Sequence, residues 1–289
     1  MKIRLIHPLA LIGAALLPLT AKGEENAPKG SSEKIVEALP EEPFAKPAKA
    51  RRLLVFSKTA GFRHASIPTG KLALEKMGGK TGAFEAVISD DLSNFGSEKI
   101  NGFDAILFLS TTQNPFAGAA DEAKFKENLM KFVKDGKGFV GIHAATDTFY
   151  EWPEYGQMMC GYFNGHPWTA DKMVHIDVEP GQEKNPLVAM FGGQPVELRE
   201  EIYQFKDPYD SKKVRMLLRL DPSKSDKVAG MKREDNDYGV SWARKWGRGR
   251  VFYSSLGHND EIYWNPKVLR HYLAGIQWAI GDFEANVEK

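Results

Sequence analysis

The sequence predicts an α/β domain with a mainly parallel central sheet. Two patterns carry this prediction: short, uninterrupted apolar runs of the kind buried on both faces of a sheet, and segments of helical period alternating with them along the first half of the domain. Size agrees. At 289 residues, with 42% hydrophobic and 11% aromatic content, the chain can bury one large core, and 27% charged residues is ordinary for a globular protein.

The elements follow in order. Leu53-Leu54-Val55-Phe56-Ser57 is the first buried strand. Apolar residues at 67, 72, 74 and 77 predict a helix over 67–77, ended by Gly78-Gly79. Strands are expected at 84–88 and 104–109. An amphipathic helix over 121–134 follows, with Phe125, Leu129, Phe132 and Val133 on one face and Asp121 as N-cap. Phe139 to Ile142 is the next strand. The second half changes character: 174–178, 214–220, 240–244 and 250–255 read as strands separated by Pro, Asp and Gly, and 268–280 as a closing helix.

The first 50 residues stand apart. Lys2 and Arg4 precede an apolar stretch, Leu5 to Leu19, and Ala21 and Gly23 are the small residues that signal peptidase requires. Residues 1–23 are therefore expected to be a signal peptide cleaved after Gly23, sending the protein to the periplasm or outside the cell. The apolar stretch is short and interrupted by His7, Pro8 and Pro18, against about 20 residues for a membrane span. Residues 24–50, rich in Pro, Ala, Glu and Lys, are expected to form a disordered linker, and 51–281 the domain.

Removing Lys2, Arg4 and Lys22 from 39 basic residues leaves 36 against 38 acidic ones, a formal charge of −2. Nothing in that balance suits nucleic acid or an anionic membrane. Cys160 is the only cysteine, so no disulfide forms within the chain.

In open α/β sheets ligands gather at the carboxyl ends of the strands. The residues just past those ends are Lys58 to His64, Ser110 to Asn114, His143 to Asp147 and Leu256 to Asp260. Three of the six histidines beyond residue 23 thus fall on one rim: His64, His143 and His258. A fourth, His166, lies in the loop Gly161 to Trp168, and each of the four has glycine nearby, which permits close approach of backbone to a ligand. His175 and His271 sit inside a predicted strand and helix and are assigned to structure.

The stretches GFRHASI (61–67), GFVGIHAATDTFYEWPEY (138–155), GYFNGHPW (161–168), EEIYQF (200–205) and GRGRVFYSSLGHNDEIYWNP (247–266) resemble, in the same order, the motifs of the trehalose-utilisation (ThuA-like) domain family. The resemblance covers about residues 53–279. It implies a three-layer, flavodoxin-like fold similar to class I glutamine amidotransferases. In that superfamily a G-x-C-x-G elbow presents a nucleophilic thiol and a distant H-x-E supplies its base. Here Gly141-Ile142-His143-Ala144-Ala145 stands at the elbow, and His258-Asn259-Asp260 is similar to H-x-E with Asp for Glu. Cys160, 17 residues past the elbow in a segment expected to be helical, is poorly placed to replace the lost thiolate.

The resemblance points to sugar metabolism and to disaccharides oxidised at C3, whose 3-keto group acidifies the C2 hydrogen. Imidazoles can share a proton transfer at neutral pH, or bind a divalent metal that polarises a sugar oxygen. The catalytic candidates are His143, His258, Asp260 and His64, with Asp260 or Asp147 holding one imidazole. The substrate-binding candidates are His166, Trp168, Trp152, Glu201, Tyr203 and Trp264, with Tyr155 and Tyr162 in the same aromatic motif loops. A divalent metal, if bound, draws its ligands from His64, His143, His166, His258 and Glu201. The expected partner is a small carbohydrate, and a homo-oligomer is left open. Three readings stand: an exported lyase or hydrolase acting on glycosides, a non-catalytic sugar-binding module on a spent amidotransferase scaffold, and an amidase or hydrolase using histidine-activated water.

Overall fold

In a computed structural model residues 27–288 are described, so the predicted signal peptide lies outside the described residues. The elements are α1 (Ser31–Ala38), β1 (Arg52–Phe56), α2 (Ile67–Thr81), β2 (Glu85–Ile88), β3 (Ala105–Leu109), α3 (Glu122–Lys134), β4 (Gly138–Ile142), α4 (Pro153–Met159), β5 (Tyr162–Phe163), β6 (Met173–Val178), β7 (Val196–Arg199), β8 (Phe205–Lys206), β9 (Arg215–Leu220), β10 (Gly239–Trp246), β11 (Gly249–Ser254) and α5 (Pro266–Ile280). Nine strands form one sheet in the order β2-β1-β3-β4-β11-β10-β9-β6-β7, and β5 and β8 form a separate ribbon.

The α/β prediction holds, with a mixed sheet. From β2 to β11 every pairing is parallel. From β11 to β7 every pairing is antiparallel. The parallel half explains the continuous apolar runs, since β3 and β4 are buried at every position and β1 at all but its first residue. Successive strand residues serve opposite faces. Leu53 and Val55 join the core under α1, α2 and α5, while Leu54 and Phe56 join the core under α3 and α4, which makes three layers.

Two local expectations are corrected. The helix predicted over 67–77 runs through Gly78 and Gly79 to Thr81, and Gly82, at φ 65°, takes the left-handed cap. Gly78 is there because a Cβ would sit 2.4 Å from the Phe84 carbonyl oxygen, where the chain turns back into β2. Asp121 occupies the N-cap of α3, but its side chain makes no capping hydrogen bond.

The larger correction concerns residues 27–50, expected to be disordered. Ile35 and Leu39, four residues apart on one helical face, are buried in the main core with Leu74 and Met77. Lys80 Nζ donates to the carbonyls of Val36 and Leu39, closing the end of α1. Farther along, Gln277 accepts from the amides of Phe44 and Ala45 and donates to the Ala45 carbonyl. The segment is a strap across the α2/α5 face. Its apolar residues are few, but Ile35 and Leu39 are fully seated, and the area they bury offsets the entropy of ordering the segment.

Replacing Ile35 by Ala should therefore cost about 2 kcal/mol in urea denaturation and open residues 39–50 to protease. An unchanged midpoint and unchanged cleavage would show that the strap is not part of the folded unit.

Candidate functional site

The parallel half of the sheet delivers four loops to one rim. β4 ends at Ile142, and His143 follows with φ 53°, the left-handed turn that carries the chain out of the strand. Of the six non-glycine residues with positive φ among the described residues, Ser110, Gln113, His143 and Phe149 all belong to two of these rim loops, so backbone strain is concentrated here. Those loops are stitched together: the Gln113 amide donates to the Asp147 carbonyl at 2.7 Å, and the Phe149 amide to the Gln113 carbonyl at 2.7 Å. Gly257, at φ 135°, leaves room for His143. A Cβ there would lie 2.8 Å from the Tyr263 hydroxyl and 3.2 Å from His143 Cβ.

Three of the predicted histidines meet. Ring centroids are 4.6 Å apart for His64 and His143, 5.2 Å for His64 and His258, and 5.4 Å for His143 and His258. Glu201 is at the centre. Its Oε1 lies 3.2 Å from His258 Nδ1 and 3.7 Å from His143 Nε2, and its Oε2 lies 3.3 Å from His166 Nδ1. The ribbon of β5 and β8 brings His166 there: 163–168 pairs with 202–205 through the Gln204 amide to Gly165 O and the Ile202 amide to Trp168 O.

Protonation follows from the partners. His143 Nδ1 faces the Ser255 carbonyl at 2.7 Å, and a carbonyl only accepts, so Nδ1 carries the proton and Nε2 the lone pair. The Tyr203 hydroxyl then donates to Nε2 at 3.0 Å. Burial, with His64 alongside, holds the His143 pKa well below 6.5. Burial and the charge of His258 lower His64 to about 4. Burial opposes charge on His258 as well, but the Glu201 carboxylate outweighs it and raises its pKa above 6.5. Tyr203 is pushed far above the usual phenol range by burial and by Glu201, and remains a hydroxyl.

The sequence reasoning missed Glu200. It has no exposed surface and accepts three consecutive amides, from Gly257 at 2.7 Å, His258 at 2.6 Å and Asn259 at 3.0 Å. Burial pushes its carboxyl up to about 8 against the pull of those N–H groups. The adjacent acids Glu200-Glu201 were the available signal, because neighbours in an extended chain face opposite ways.

Several candidates lie elsewhere. Asp260 accepts from Thr69 Oγ1 and Asp147 from the Tyr150 hydroxyl, so neither holds an imidazole; Glu201 does. Trp168 is fully buried, its Nε1 donating to the Asp226 carbonyl, and belongs to the core. Trp264 packs under Lys34 of the strap, and Trp152 stacks on Tyr155. Tyr155 and Tyr162 bond the Ala145 and Trp152 carbonyls. Cys160 is buried at the end of α4 beside the Asp210 carbonyl, and burial raises its pKa, which leaves no reactive thiolate. His175 pairs with Asp177 and Glu197, and His271 bonds Leu187 O and Ser241, both away from the cluster as expected.

A cavity of about 360 Å³ opens over the cluster. His64, His166, His258, Glu201 and Tyr203 line it, and Phe62, Phe163 and Asp147 complete its walls. Asp147 has its carboxyl pKa raised by burial. His143 has no exposed surface and lies behind this wall.

The arrangement fits a divalent transition metal. Ligand atoms of His64, His143, Glu201 and His258 all lie within 4.8 Å of one another. Two ligands of one tetrahedral ion with bonds of about 2.0–2.1 Å sit about 3.3 Å apart, close to the Glu201–His258 spacing. His143 also makes the Nδ1–H to carbonyl bond that orients metal-binding imidazoles. His64 Nδ1 is buried without a hydrogen-bond partner among the described residues.

A family model described as "Trehalose utilisation" (ThuA) matches residues 52–279. The fold is similar to that of a ThuA-like protein from Bacteroides uniformis, with TM-score 0.63 and 22% identity over 81% of this chain and 94% of that one. It is also similar to a ThuA-like protein from Parabacteroides merdae, with TM-score 0.54 and 18% identity over 81% and 91% of the two chains. A cytoplasmic protein from Salmonella typhimurium shares the fold at TM-score 0.53 and 12% identity over 79% and 98%. No protein of curated function matches the chain.

Long-range ¹H–¹⁵N NMR of the imidazoles of metal-free protein should find His143 and His64 neutral at pH 6, His143 as the Nδ1–H tautomer, and His258 titrating above 6.5. A His143 that titrates near 6.5 would contradict this hydrogen-bond network.

Proposed function

The chain belongs to the trehalose-utilisation (ThuA) family, and from that premise we propose that it is an exported carbohydrate-active enzyme. It acts as a lyase or hydrolase on disaccharides or their 3-keto-glycoside forms, at a divalent-metal centre. The observation that carries this reading is the convergence of three imidazoles and Glu201 within 4.8 Å beneath an open cavity with aromatic walls. The leader-like residues 1–23 support export as part of it.

His64, His143, His258 and Glu201 would hold the ion. When bound, it supplies Lewis-acid polarisation of a sugar oxygen. The chain's own groups do the rest. His143, buried and neutral, offers its Nε2 lone pair from the rear wall, fixed by Ser255. Glu201 reaches three histidines at once and sets the spacing of the cluster. Proton transfer falls to groups on the cavity wall outside the ligand set: Asp147, made more basic by burial, and His166, tied to Glu201 with its side chain 44% exposed. For a 3-keto-glycoside the base would remove the C2 proton, the electron pair released would form the C1–C2 double bond as the C1–O bond breaks, and the departing glycosidic oxygen would take a proton from His166 or from water. Phe163, stacked beside His166 and edge-on to Tyr203, offers an apolar wall to the C–H face of the ring over the cluster.

The mature protein, incubated with glycosides and 3-keto-glycosides, should release product only with metal present, lose activity to chelator and regain it on re-addition. Glu201→Gln should abolish stoichiometric metal, and Asp147→Asn should lower turnover by about 10² with metal retained. Full turnover in chelator would remove the metal from the account.

Metal affinity should also depend on pH with a defined sign. His64 and His143 are already neutral near pH 7, whereas His258, raised above 6.5, must lose one proton to bind. The association constant should thus rise about tenfold per pH unit below the His258 pKa and level off above it. A flat profile between pH 5.5 and 8 contradicts His258 as a ligand.

A further inference from the structure

Phe62 is the most exposed large hydrophobic side chain among the described residues, at 65%, and it stands at the lip of the site cavity. Its exposure does not come from a loose loop. The Ala60 amide donates to the Thr112 carbonyl at 3.1 Å, and the Gly61 amide to Thr112 Oγ1 at 3.2 Å. Thr112 Oγ1 in turn donates to the Phe62 carbonyl at 2.9 Å. The only ring it meets among the described residues is His64, perpendicular at 4.8 Å between centroids. The fold therefore holds an aromatic ring in water, on a fixed backbone, next to a member of the histidine cluster.

We propose that Phe62 is the platform of an outer sugar subsite, which stacks on the second pyranose ring of a disaccharide whose first ring sits over the histidines. The inference rests on the carbohydrate reading of the cavity. At about 360 Å³ the cavity is near the lower end of the roughly 300–1,000 Å³ usual for ligand sites, so a two-ring ligand seated at the cluster carries its second ring to the mouth. A pyranose suits such a place. One C–H face covers the ring while the hydroxyls stay in water, so the subsite needs no enclosure and no buried polar partners. Phe62 would then discriminate by ligand length and leave the chemistry at the cluster unchanged.

The test is sugar binding by NMR shift titration of the full mature chain, with glucose and with the glucose disaccharides trehalose, maltose and cellobiose. At least one disaccharide should bind wild type about tenfold more tightly than glucose, as a ring-stacking contribution would give. Phe62→Ala should erase that advantage with glucose affinity within about twofold, and Phe62→Trp should restore it. An advantage that survives Phe62→Ala, or a loss equal for glucose and the disaccharides, overturns the platform alone. The same titration is run with the 3-keto forms of these disaccharides, and absence of binding by wild type to every sugar, oxidised or not, overturns both the platform and the carbohydrate reading.

Discussion

One buried carboxyl group holds the two halves of this sheet to a common site. Glu200 follows β7, at the far antiparallel edge, yet it accepts the amides of residues 257–259, just past the end of β11 in the parallel half. Each of these three hydrogen bonds to a carboxyl that burial keeps largely neutral at pH 7 is worth about 0.5–1.5 kcal/mol, and leaving those buried amides bare would cost about 1–3 kcal/mol apiece. The same contact has a geometric consequence. With Glu200 turned toward the amides, Glu201 turns the other way, into the histidines, and Tyr203, two residues on, meets His143. Without Glu200 the rim would keep His64 and His143 but lose the fixed positions of His258 and Glu201.

His143 owes its position to one backbone turn. The left-handed turn after β4 aims whatever side chain stands there at the rim. An imidazole in that place is longer than a thiol and needs its second nitrogen satisfied, which the Ser255 carbonyl does. Buried and neutral, it makes a poor exposed nucleophile and a good inner ligand. In the proposed mechanism the proton-transfer groups, Asp147 and His166, stand on the cavity wall in front of it, so that binding at the floor is separated from chemistry at the walls.

Much of this was legible in the sequence, for physical reasons that also set the limits. Continuous apolar runs located the parallel strands, and the ends of those strands located His64, His143 and His258, because a parallel sheet puts all its carboxyl ends on one edge. Glu200 was legible only as the neighbour of Glu201; its role was not, since its partners are backbone amides, which carry no side-chain signature. Trp152, Trp168 and Trp264 are substrate-binding candidates in the sequence because they lie in the ThuA-like motif loops and aromatic faces suit sugar C–H surfaces; whether an aromatic faces core or cavity depends on long-range packing, and none of the three lines the cavity. The aromatic residues that line the cavity are Phe62, Phe163 and Tyr203. The strap at 27–50 was obscured by its composition: two well-seated residues, Ile35 and Leu39, with Gln277 as anchor, order a segment whose average is polar.

The most direct measurement is a crystal structure of the protein equilibrated with zinc or manganese, with anomalous scattering recorded at the metal edge. The account predicts one strong peak within about 2.0–2.3 Å of His64, His143, His258 and Glu201, with the His143–Ser255 hydrogen bond retained. A peak elsewhere, or an empty cluster with Tyr203 still bonded to His143 at saturating metal, would contradict it.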